Sequence, residues 1–375
     1  MTRAWLIRLL LVLSAAPALF RGAHPHFVAP RADAAEPQAV YTKELLPETH
    51  TSFVHGASIA ELANGNLLAA WYGGSDETKP DVAIFTSRMD RATGRWSAPA
   101  IVADRRSWLS TKSVGNPVLF ADSEGVELFY VAVIAGGWSG STTVFKSSKD
   151  GVHWSDARQV IASPLFGIGV LVRGAPAAYD DGTIALPVYH ELGTKWPAIA
   201  RVDRDGHVLD LHRILDGRPL IQPSLAVTSR DDATMLFRYS AGRSPLSVTM
   251  AFTNDAGLDW SPVAGTPLVH RDSGVAAVRT TNGLLAFYNN TAWDRRDLSV
   301  AWTPDNGRHW SMPKPIERDT TPDYVVRREY SYPYAIRTRD GRTHLVYTWQ
   351  RTRIAHVVFN DAWLRADAIL GGVRP

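Results

Sequence analysis

Cysteine is absent from this 375-residue sequence, and its charges nearly balance, with a formal net charge of +3. The lack of cysteine excludes disulfides, thiolate metal sites and cysteine nucleophiles. A chain with so small a net charge lacks the basic surface that nucleic-acid binding requires, so we expect no nucleic-acid partner. The sequence is 45% hydrophobic, with 28 Gly, 23 Pro and 13 Trp, a composition typical of a globular protein.

The N-terminus has the features of a targeting segment. Arg3 and Arg8 flank the start of an apolar run that ends at residue 20, and residues 32–34 (Ala-Asp-Ala) match a signal-peptidase site. Arg8 interrupts the apolar stretch and the cleavage site is distant, so an uncleaved inner-membrane anchor is the alternative. We therefore expect residues 1–37 to be a signal peptide or an anchor. The folded part would be periplasmic or exported, or anchored at the inner membrane facing the periplasm.

A Trp-Ser pair recurs along the rest of the chain. It begins at Trp96, Trp154, Trp260 and Trp310, at intervals of 58, 106 and 50 residues. The residues before Trp260 and Trp310 follow the pattern Ser/Thr-x-Asp-x-Gly-x-x-Trp, those before Trp154 are one residue short of it, and those before Trp96 form a stretched copy. In this pattern Asp accepts backbone hydrogen bonds, Gly takes a positive φ and Trp packs beneath the turn. These Asp-boxes predict a repeat fold, and we expect them to be structural turns on its outside.

Six apolar hairpins support the repeat. Each consists of two β-rich runs joined by a turn sequence, and together they span residues 57–71, 117–133, 175–189, 223–239, 274–288 and 332–349. Six hairpins, each followed by further strand-like sequence, predict an all-β fold, a six-bladed β-propeller with Asp-box repeats. We expect one domain over residues 38–362 and a C-terminal tail over residues 363–375. Residues 40–45 and 353–359 would supply strands of the closing blade.

The residues that flank the hairpins would meet at the mouth of the central channel, although they are about 50 residues apart. Arg173, Arg238 and either Arg295 or Arg296 fall on separate blades. Three guanidinium groups directed at one point would hold a carboxylate through charge-assisted hydrogen bonds. The mouth is therefore the predicted site, and its ligand is predicted to be acidic.

Other flanking residues supply the chemistry of a hydrolase. Glu329 beside Tyr330 places a base next to a phenol, which is a route to a Tyr nucleophile. Glu77 and Asp81, after the first hairpin, are carboxylates suited to general acid catalysis. Five further residues would shape the pocket: His55, Trp138, His190, Glu191 and Gln222. No spacing typical of a metal site is evident, and we predict neither a metal nor a cofactor.

The Asp-boxes, the hairpin run over residues 58–69 and the pair Tyr330-Ser331 resemble the sialidase superfamily over residues 50–360. Sialidases hold the sugar carboxylate with three arginines and use a Tyr nucleophile assisted by a Glu, with an Asp as acid/base. The resemblance implies that Tyr330 is the nucleophile and that Arg238 and Arg295 occupy two arginine positions.

The sequence also departs from that family. His55 stands where sialidases have an arginine, and Gln222 stands where the assisting Glu is expected, which leaves Glu329 to replace it. The acid falls in a loop of variable length, so three residues stay open as candidates: Asp76, Glu77 and Asp81.

Six shorter motifs resemble the sialidase-like subunit of bacterial Kdo hydrolases: residues 115–120, 136–138, 171–173, 186–192, 222–225 and 329–333. Those enzymes remove the outer Kdo (3-deoxy-D-manno-octulosonic acid) from lipid A–core at the inner membrane, and they tend to work with a second, membrane-embedded subunit. Kdo and sialic acid are both 2-keto-3-deoxy sugar acids with a carboxylate at the anomeric carbon, so one mechanism serves both.

The sequence thus predicts a sialidase-like exo-glycoside hydrolase that removes a terminal 2-keto-3-deoxy sugar acid, Kdo from lipid A–core or else sialic acid. The predicted partners are this acidic sugar and a second membrane subunit. Two alternatives stay open. One is a glycosidase or lyase on another acidic polysaccharide, with His55 and His190 supplying the base. The other is a glycan-binding propeller without catalysis.

Overall fold

The computed structural model describes residues 24–30, 37–162, 167–241, 246–320, 328–366 and 370–371. The N-terminal part of the expected signal or anchor, with Arg3 and Arg8, and the expected cleavage site at residues 32–34 lie outside these ranges. So does most of the expected C-terminal tail. None of the helices within the described ranges has the length and apolar character needed to span a membrane.

The chain forms six small antiparallel sheets arranged as the blades of a propeller, which confirms the predicted six-bladed fold. The first strand, β1 (Tyr41–Leu45), precedes blade 1. Blade 1 contains β2 (Phe53–Glu61), β3 (Leu67–Gly74), β4 (Ala83–Asp90), β5 (Arg95–Trp96) and β6 (Ala100–Ala103). Blade 2 contains β7 (Ser113–Ala121), β8 (Val126–Val133), β9 (Ser141–Ser148) and β10 (Arg158–Gln159), with a 3-10 turn at Trp138–Gly140.

The remaining blades follow the same order from the channel outward. Blade 3 contains β11 (Val170–Val172), β12 (Ala177–Ala178), β13 (Ile184–His190), β14 (Trp196–Val202) and β15 (Val208–Arg213). Blade 4 contains β16 (Leu220–Val227), β17 (Ala233–Tyr239), β18 (Ser247–Thr253) and β19 (Ala264–Val269). Blade 5 contains β20 (Ala276–Thr280), β21 (Gly283–Asn289), β22 (Asp297–Thr303) and β24 (Lys314–Arg318), and β23 (Trp310–Ser311) pairs with β28 (Leu370–Gly371).

Blade 6 closes the ring with strands from both ends of the chain. It contains β25 (Tyr330–Arg337), β26 (Thr343–Trp349) and β27 (Arg353–Phe359), followed by the short helix α1 (Asp361–Arg365). β1 pairs with β27, from Tyr41 opposite Phe359 to Leu45 opposite Ala355, which confirms both predicted closing strands. The innermost strands of blades 6 and 1 contact each other, so the flanks of all six hairpins share one channel.

The core lies between neighbouring blades, because each blade is apolar on both faces. The largest buried cluster joins Trp71 of blade 1, Phe129 of blade 2 and Leu186 of blade 3. Near-complete burial of β3, β8 and β13 explains why these strands appear in the sequence as continuous apolar runs and not as alternating ones.

The Asp-boxes are turns between the third and outer strands, as the sequence predicts. Asp150, Asp255 and Asp305 each accept a hydrogen bond from a backbone N–H three or four residues on, at 2.8 to 3.0 Å. The tryptophans of the last two boxes donate to the glycine carbonyl of their own turn, at 3.2 and 3.1 Å. Their polar groups are therefore satisfied locally.

Candidate active site

Four of the innermost strands carry a bulge at the same level of the channel. In each, two residues are skipped in the register with the neighbouring strand. One bulge residue in each has a positive φ: Gly56 (57°), Asn116 (45°), Gln222 (51°) and Tyr332 (54°). Residues other than glycine adopt this conformation rarely, and such bulges re-aim side chains beside active sites. The bulges therefore mark the channel mouth.

Tyr332 stands among three arginines from three other blades. Arg238 Nη1 donates to the Tyr332 hydroxyl at 2.8 Å, and Arg173 Nη2 donates to the Tyr332 backbone oxygen at 2.8 Å. The guanidinium carbons of Arg173, Arg238 and Arg295 lie 5.5, 5.9 and 5.5 Å from the centre of the Tyr332 ring. The three arginines named from the sequence are thus brought together around one phenol.

Arg173 is buried but incompletely bonded. Only 4% of the residue is exposed, yet its Nε and Nη1 have no hydrogen-bond partner within the described part of the chain. Burial lowers the pKa of Arg173, while nearby tyrosines oppose that effect. Buried donors are nearly always bonded, and leaving a charged one unbonded is costly. A carboxylate offers the paired acceptors that this guanidinium lacks.

Glu329 binds two guanidinium groups on the blade 6 side of the mouth. Arg295 Nη1 donates to one Glu329 oxygen at 3.0 Å, and Arg351 Nε donates to the other at 2.6 Å. The Ser331 hydroxyl also donates to Glu329. Burial opposes ionisation of Glu329, but His55, the arginines and Ser331 outweigh it and lower its pKa to about 2. Glu329 is therefore a carboxylate at neutral pH.

His55 lies in the mouth on the blade 1 side. Its ring lies 4.4 Å from the Tyr332 ring and 5.8 Å from the Tyr72 ring, both edge-on. Burial lowers the pKa of His55 well below 6.5, so the ring is neutral at pH 7 and becomes positive only in the acid range where Glu329 titrates. Its Nδ1 lacks a hydrogen-bond partner among the residues described. His55 therefore adds no positive charge to the mouth at neutral pH.

Tyr330, the nucleophile implied by the family resemblance, is placed elsewhere. Its ring packs in the apolar cluster of blades 5 and 6, with the Trp349 ring 6.4 Å away. Its hydroxyl is 3.5 Å from Gln350 Nε2. Because the bulge after Ser331 changes the register, Tyr330 and Tyr332 do not share an environment. The phenol among the arginines is Tyr332.

The three candidate acids differ in their distance from the mouth. Glu77 accepts from the Tyr72 hydroxyl at 3.3 Å and from Arg351 Nη1 at 3.4 Å, which places it at the rim. Asp81 instead accepts from the Ser75 backbone and hydroxyl at 2.8 and 2.9 Å, on the outside of the loop. Asp76 is exposed and accepts from the backbone N–H of Glu77. The geometry favours Glu77.

Gln222 lies on the wall of the mouth between blades 3 and 4. Its side-chain oxygen accepts from Arg238 Nη1 at 3.3 Å, and its side chain also hydrogen-bonds Tyr189. Burial raises the pKa of Tyr189, and the charge of Glu191 adds to this effect, which places Glu191 near that wall. Glu191 also pairs with Lys195 at 3.6 Å.

His190 and Trp138 lie farther out on the rim. The His190 ring stacks on Trp196 at 4.9 Å, and its Nδ1 lies 3.0 Å from the Thr194 carbonyl, so the ring is held within blade 3. Trp138 covers Gly115, where a Cβ would lie 2.6 Å from the indole, and it meets the Tyr72 ring edge-on at 6.4 Å. Both residues shape the rim, and none of these contacts reaches the three arginines.

Three residues of the mouth were not assigned a role from the sequence: Tyr332, Arg351 and Asp272. Asp272 accepts from Arg238 Nε, and its carbonyl accepts from Arg295 Nη2 at 3.1 Å. Asp272 also borders a cavity of 290 Å³ with Arg271, Trp293, Asp294 and Arg295. Asp272 and Arg351 do flank hairpins, so their positions were available in the sequence. The recurrence of proline after Asn116, Gln222 and Tyr332 was an equally visible sign of the bulges.

Comparison with known proteins agrees with this architecture. Residues 65–345 match the model of the BNR repeat-like domain. The chain belongs to the BNR repeat-like domain family. No curated protein matches the sequence. As a BNR-repeat propeller, the chain has many structural relatives at low sequence identity.

Three of these relatives are named sialidases or trans-sialidases. A Hadza microbial sialidase superposes with a TM-score of 0.67 at 15% identity, over 82% of this chain and 66% of that one, slightly under two thirds of its length. The NanB sialidase from Streptococcus pneumoniae gives 0.63 at 11% identity, over 84% and 70%. The intramolecular trans-sialidase from Ruminococcus gnavus gives 0.64 at 12% identity, over 85% and 96%. These matches establish a shared fold.

Proposed function

We propose that this BNR-repeat propeller is an exo-glycoside hydrolase that removes a terminal 2-keto-3-deoxy sugar acid. The observation that carries the proposal is the Arg173 guanidinium, which is buried beside Arg238, Arg295 and the Tyr332 phenol and has two nitrogens without a partner among the described residues. Such a cluster provides a carboxylate clamp and a nucleophile around one point of the channel mouth. The sialidase fold of its relatives supports the same reaction class.

The mechanism assigns Tyr332, and not Tyr330, as the nucleophile. The Tyr332 oxygen attacks the anomeric carbon while the glycosidic C–O bond breaks, and Arg238 stabilises the developing phenolate. Glu329 takes the phenol proton, and Glu77 gives a proton to the leaving oxygen. Water then attacks the anomeric carbon and gives a proton to Glu77, the bond to Tyr332 breaks, and Glu329 returns the proton to Tyr332. A phenol avoids placing an anionic nucleophile against the anionic substrate.

Kdo of lipid A–core is the sugar acid that we propose, with sialic acid as the second candidate. The support is the resemblance of the flanking motifs to Kdo hydrolases and the neutral His55 where sialidases have an arginine. We also propose that the chain acts in the periplasm, at the inner membrane and with a second membrane subunit. Cell fractionation and co-purification from detergent extracts test this location and this partner.

The decisive experiment compares Tyr332→Phe with Tyr330→Phe in a Kdo-release assay on Kdo-containing lipid A–core and on sialosides. Loss of the nucleophile should lower kcat on the order of 10⁴-fold, whereas loss of the Tyr330 hydroxyl should change it less than about threefold. A 3-fluorinated ulosonic acid fluoride should add its sugar mass to the peptide that contains Tyr332. Full activity of Tyr332→Phe would refute the mechanism.

The alternatives have distinct products. A lyase would release an unsaturated uronate, which is detected by its ultraviolet absorbance. A non-catalytic propeller would bind a sugar acid without turnover. Neither would form a covalent adduct at Tyr332. The product analysis therefore separates all three functions in the same set of incubations.

A further inference from the structure

The described N-terminal segment, residues 24–30, lies across blades 3 and 4 on the face opposite the mouth. Its backbone bonds to both blades: Phe27 N–H donates to the Arg230 carbonyl at 2.9 Å and Val28 N–H donates to the Ala178 carbonyl at 2.8 Å. Phe27 is fully buried and stacks on Tyr179, with ring centres 5.1 Å apart. The segment is thus an integral part of the folded domain.

Three potential metal ligands meet where this segment crosses the outer strand of blade 3. They are His24 of the segment and Asp210 and His212 of β15, and their ligand atoms all lie within 4.8 Å of one another. Asp210 Oδ1 and His212 Nε2 are 3.2 Å apart. These two atoms and His24 Nε2 are buried, and apart from the Asp210–His212 pair itself none of them has a hydrogen-bond partner in the described structure. Buried polar atoms left in this state call for a ligand.

In two of the three groups, His24 and Asp210, the other polar atom is already engaged, which fixes the orientation of the side chain. His24 Nδ1 lies 2.9 Å from the Pro25 carbonyl, so this nitrogen carries the proton and the Nε2 lone pair faces the cluster. Asp210 Oδ2 accepts from Arg201 Nε at 2.7 Å, which leaves Oδ1 facing His212 Nε2 within the cluster. A ligating histidine that donates its other N–H to a carbonyl, and a ligating carboxylate that is itself hydrogen-bonded, are the usual supports of a metal site.

We propose that His24, Asp210 and His212 bind one zinc ion, with water as the fourth ligand. Two imidazole nitrogens and one carboxylate oxygen suit Zn²⁺, whereas Ca²⁺ and Mg²⁺ favour all-oxygen sites. Ligands placed about 2.0–2.1 Å from a tetrahedral zinc ion are about 3.3 Å apart, close to the separation of Asp210 and His212. This site is hard to predict from the sequence, because His24 is remote from β15 and only the Asp-x-His pair is local.

The zinc ion would tie the N-terminal segment to blade 3 and close a long loop of chain. The site requires that the mature chain keeps His24. It is therefore compatible with an uncleaved N-terminus or with cleavage before His24, and incompatible with cleavage at residues 32–34. This inference does not depend on the proposed glycosidase activity, because none of the three ligands lies in the mouth.

The test uses the full chain, treated with a chelator and then titrated with Zn²⁺. We expect one zinc per chain by elemental analysis, a higher Tm with zinc, and slower proteolysis of the N-terminal segment. Co²⁺ in place of zinc should give the visible absorption of a tetrahedral site. The variants His24→Gln and His212→Gln should weaken zinc binding at least tenfold.

His26→Gln is the matched control, because His26 lies in the same segment but pairs with Asp231 outside the cluster. It should bind zinc as the wild type does. The proposal is overturned if the wild type takes up no more zinc than the His24→Gln/His212→Gln double variant. It is also overturned if Tm is indifferent to zinc, or if the mature protein begins after residue 24. Wild-type metal content and Tm decide the matter even where a variant fails to fold.

Discussion

The Asp-box turns and the channel mouth both concentrate charged side chains, but they differ in how these are satisfied. In the turn around Asp255, the carboxylate accepts from the Asp259 N–H at 3.0 Å and from the Thr253 hydroxyl at 2.6 Å, all within seven residues. In the mouth, partners come from blades far apart in sequence, and Arg173 Nε and Nη1 stay buried without a hydrogen-bond partner in the part of the chain that the structure describes.

This difference separates structural from functional polar groups. A turn that completes its own hydrogen bonds lowers the free energy of the folded state and needs nothing further. A buried guanidinium with unmade hydrogen bonds destabilises the folded state, and a bound ligand that accepts those hydrogen bonds offsets this loss. Changes in the mouth should therefore alter activity more than stability, and changes in the turns should do the opposite.

Glu77→Gln should give the largest effect among the following tests of this contrast. Loss of the general acid should lower kcat on Kdo-glycosides by about 10²–10⁴-fold, because the leaving oxygen is no longer protonated. A ketoside of 4-nitrophenol, whose leaving group needs no proton, should be cleaved at nearly the normal rate. Asp81→Asn is the control and should be fully active, since the Asp81 carboxylate is hydrogen-bonded to Ser75 within this loop. Equal losses in both variants would argue against Glu77 as the acid.

Arg173→Met should separate binding from stability. Removal of the clamp should raise KM for a sugar acid on the order of 10- to 100-fold, since a charge-assisted hydrogen bond contributes about 1.5–3 kcal/mol. Tm should stay constant or rise, because an incompletely bonded buried charge is removed.

Arg204→Met supplies the comparison for Arg173. Arg204 binds Asp122 and the buried Glu127, the latter at 2.8 Å, outside the mouth. Its loss should lower Tm and leave KM unchanged, because Glu127 would be buried without its partner. A fall in Tm for Arg173→Met as large as that for Arg204→Met would show that Arg173 is structural.

Asp255→Ala should show the converse behaviour in a turn. The free energy of unfolding should fall by about 1–2 kcal/mol, because backbone N–H groups lose their acceptor, and kcat/KM should not change. Asp259→Ala, in the same turn, is the control, since it is the Asp259 backbone that the Asp255 carboxylate binds. Urea unfolding measures the difference. If Asp255→Ala were as stable as the wild type but impaired in catalysis, the assignment of this turn to a purely structural role would be wrong.

The sequence predicted the parts of the fold that repeat. Hairpins and Asp-boxes recur with a period, and the closing pair of β1 with β27 follows from the need to complete a four-stranded blade. These features depend on local patterns of apolar residues and turns, which a single sequence displays. The sequence could therefore predict the blade count, the closing strands and the outward position of the boxes.

The site was predictable only to the level of which segments meet. Tyr330 and Tyr332 are two residues apart, and in a regular strand they would share a face. The bulge at Tyr332, with its positive φ of 54°, breaks that rule and brings a different phenol to the arginines. The missing hydrogen bonds that identify Arg173 are likewise visible only in the assembled ring and not in the sequence.

A pair of buried histidines between blades 6 and 1 gives the smallest expected effect. His344 Nδ1 lies 3.0 Å from His356 Nε2, and His356 Nδ1 lies 3.0 Å from Glu44, so this chain of polar groups is satisfied as the turns are. Burial, with the charge of His356, lowers the pKa of His344 to about 3, whereas the unfolded chain titrates near 6.5.

The unfolded state therefore binds a proton that the folded state does not, and stability should fall as the pH drops below about 6.5. Between pH 8 and pH 6, His344 should account for a loss of up to about 1 kcal/mol. Urea unfolding at both pH values, in wild type and His344→Gln, isolates this share, because other buried histidines contribute equally to both proteins. An identical pH dependence in the two proteins would mean that folding does not lower the pKa of His344, against the effect expected of its burial.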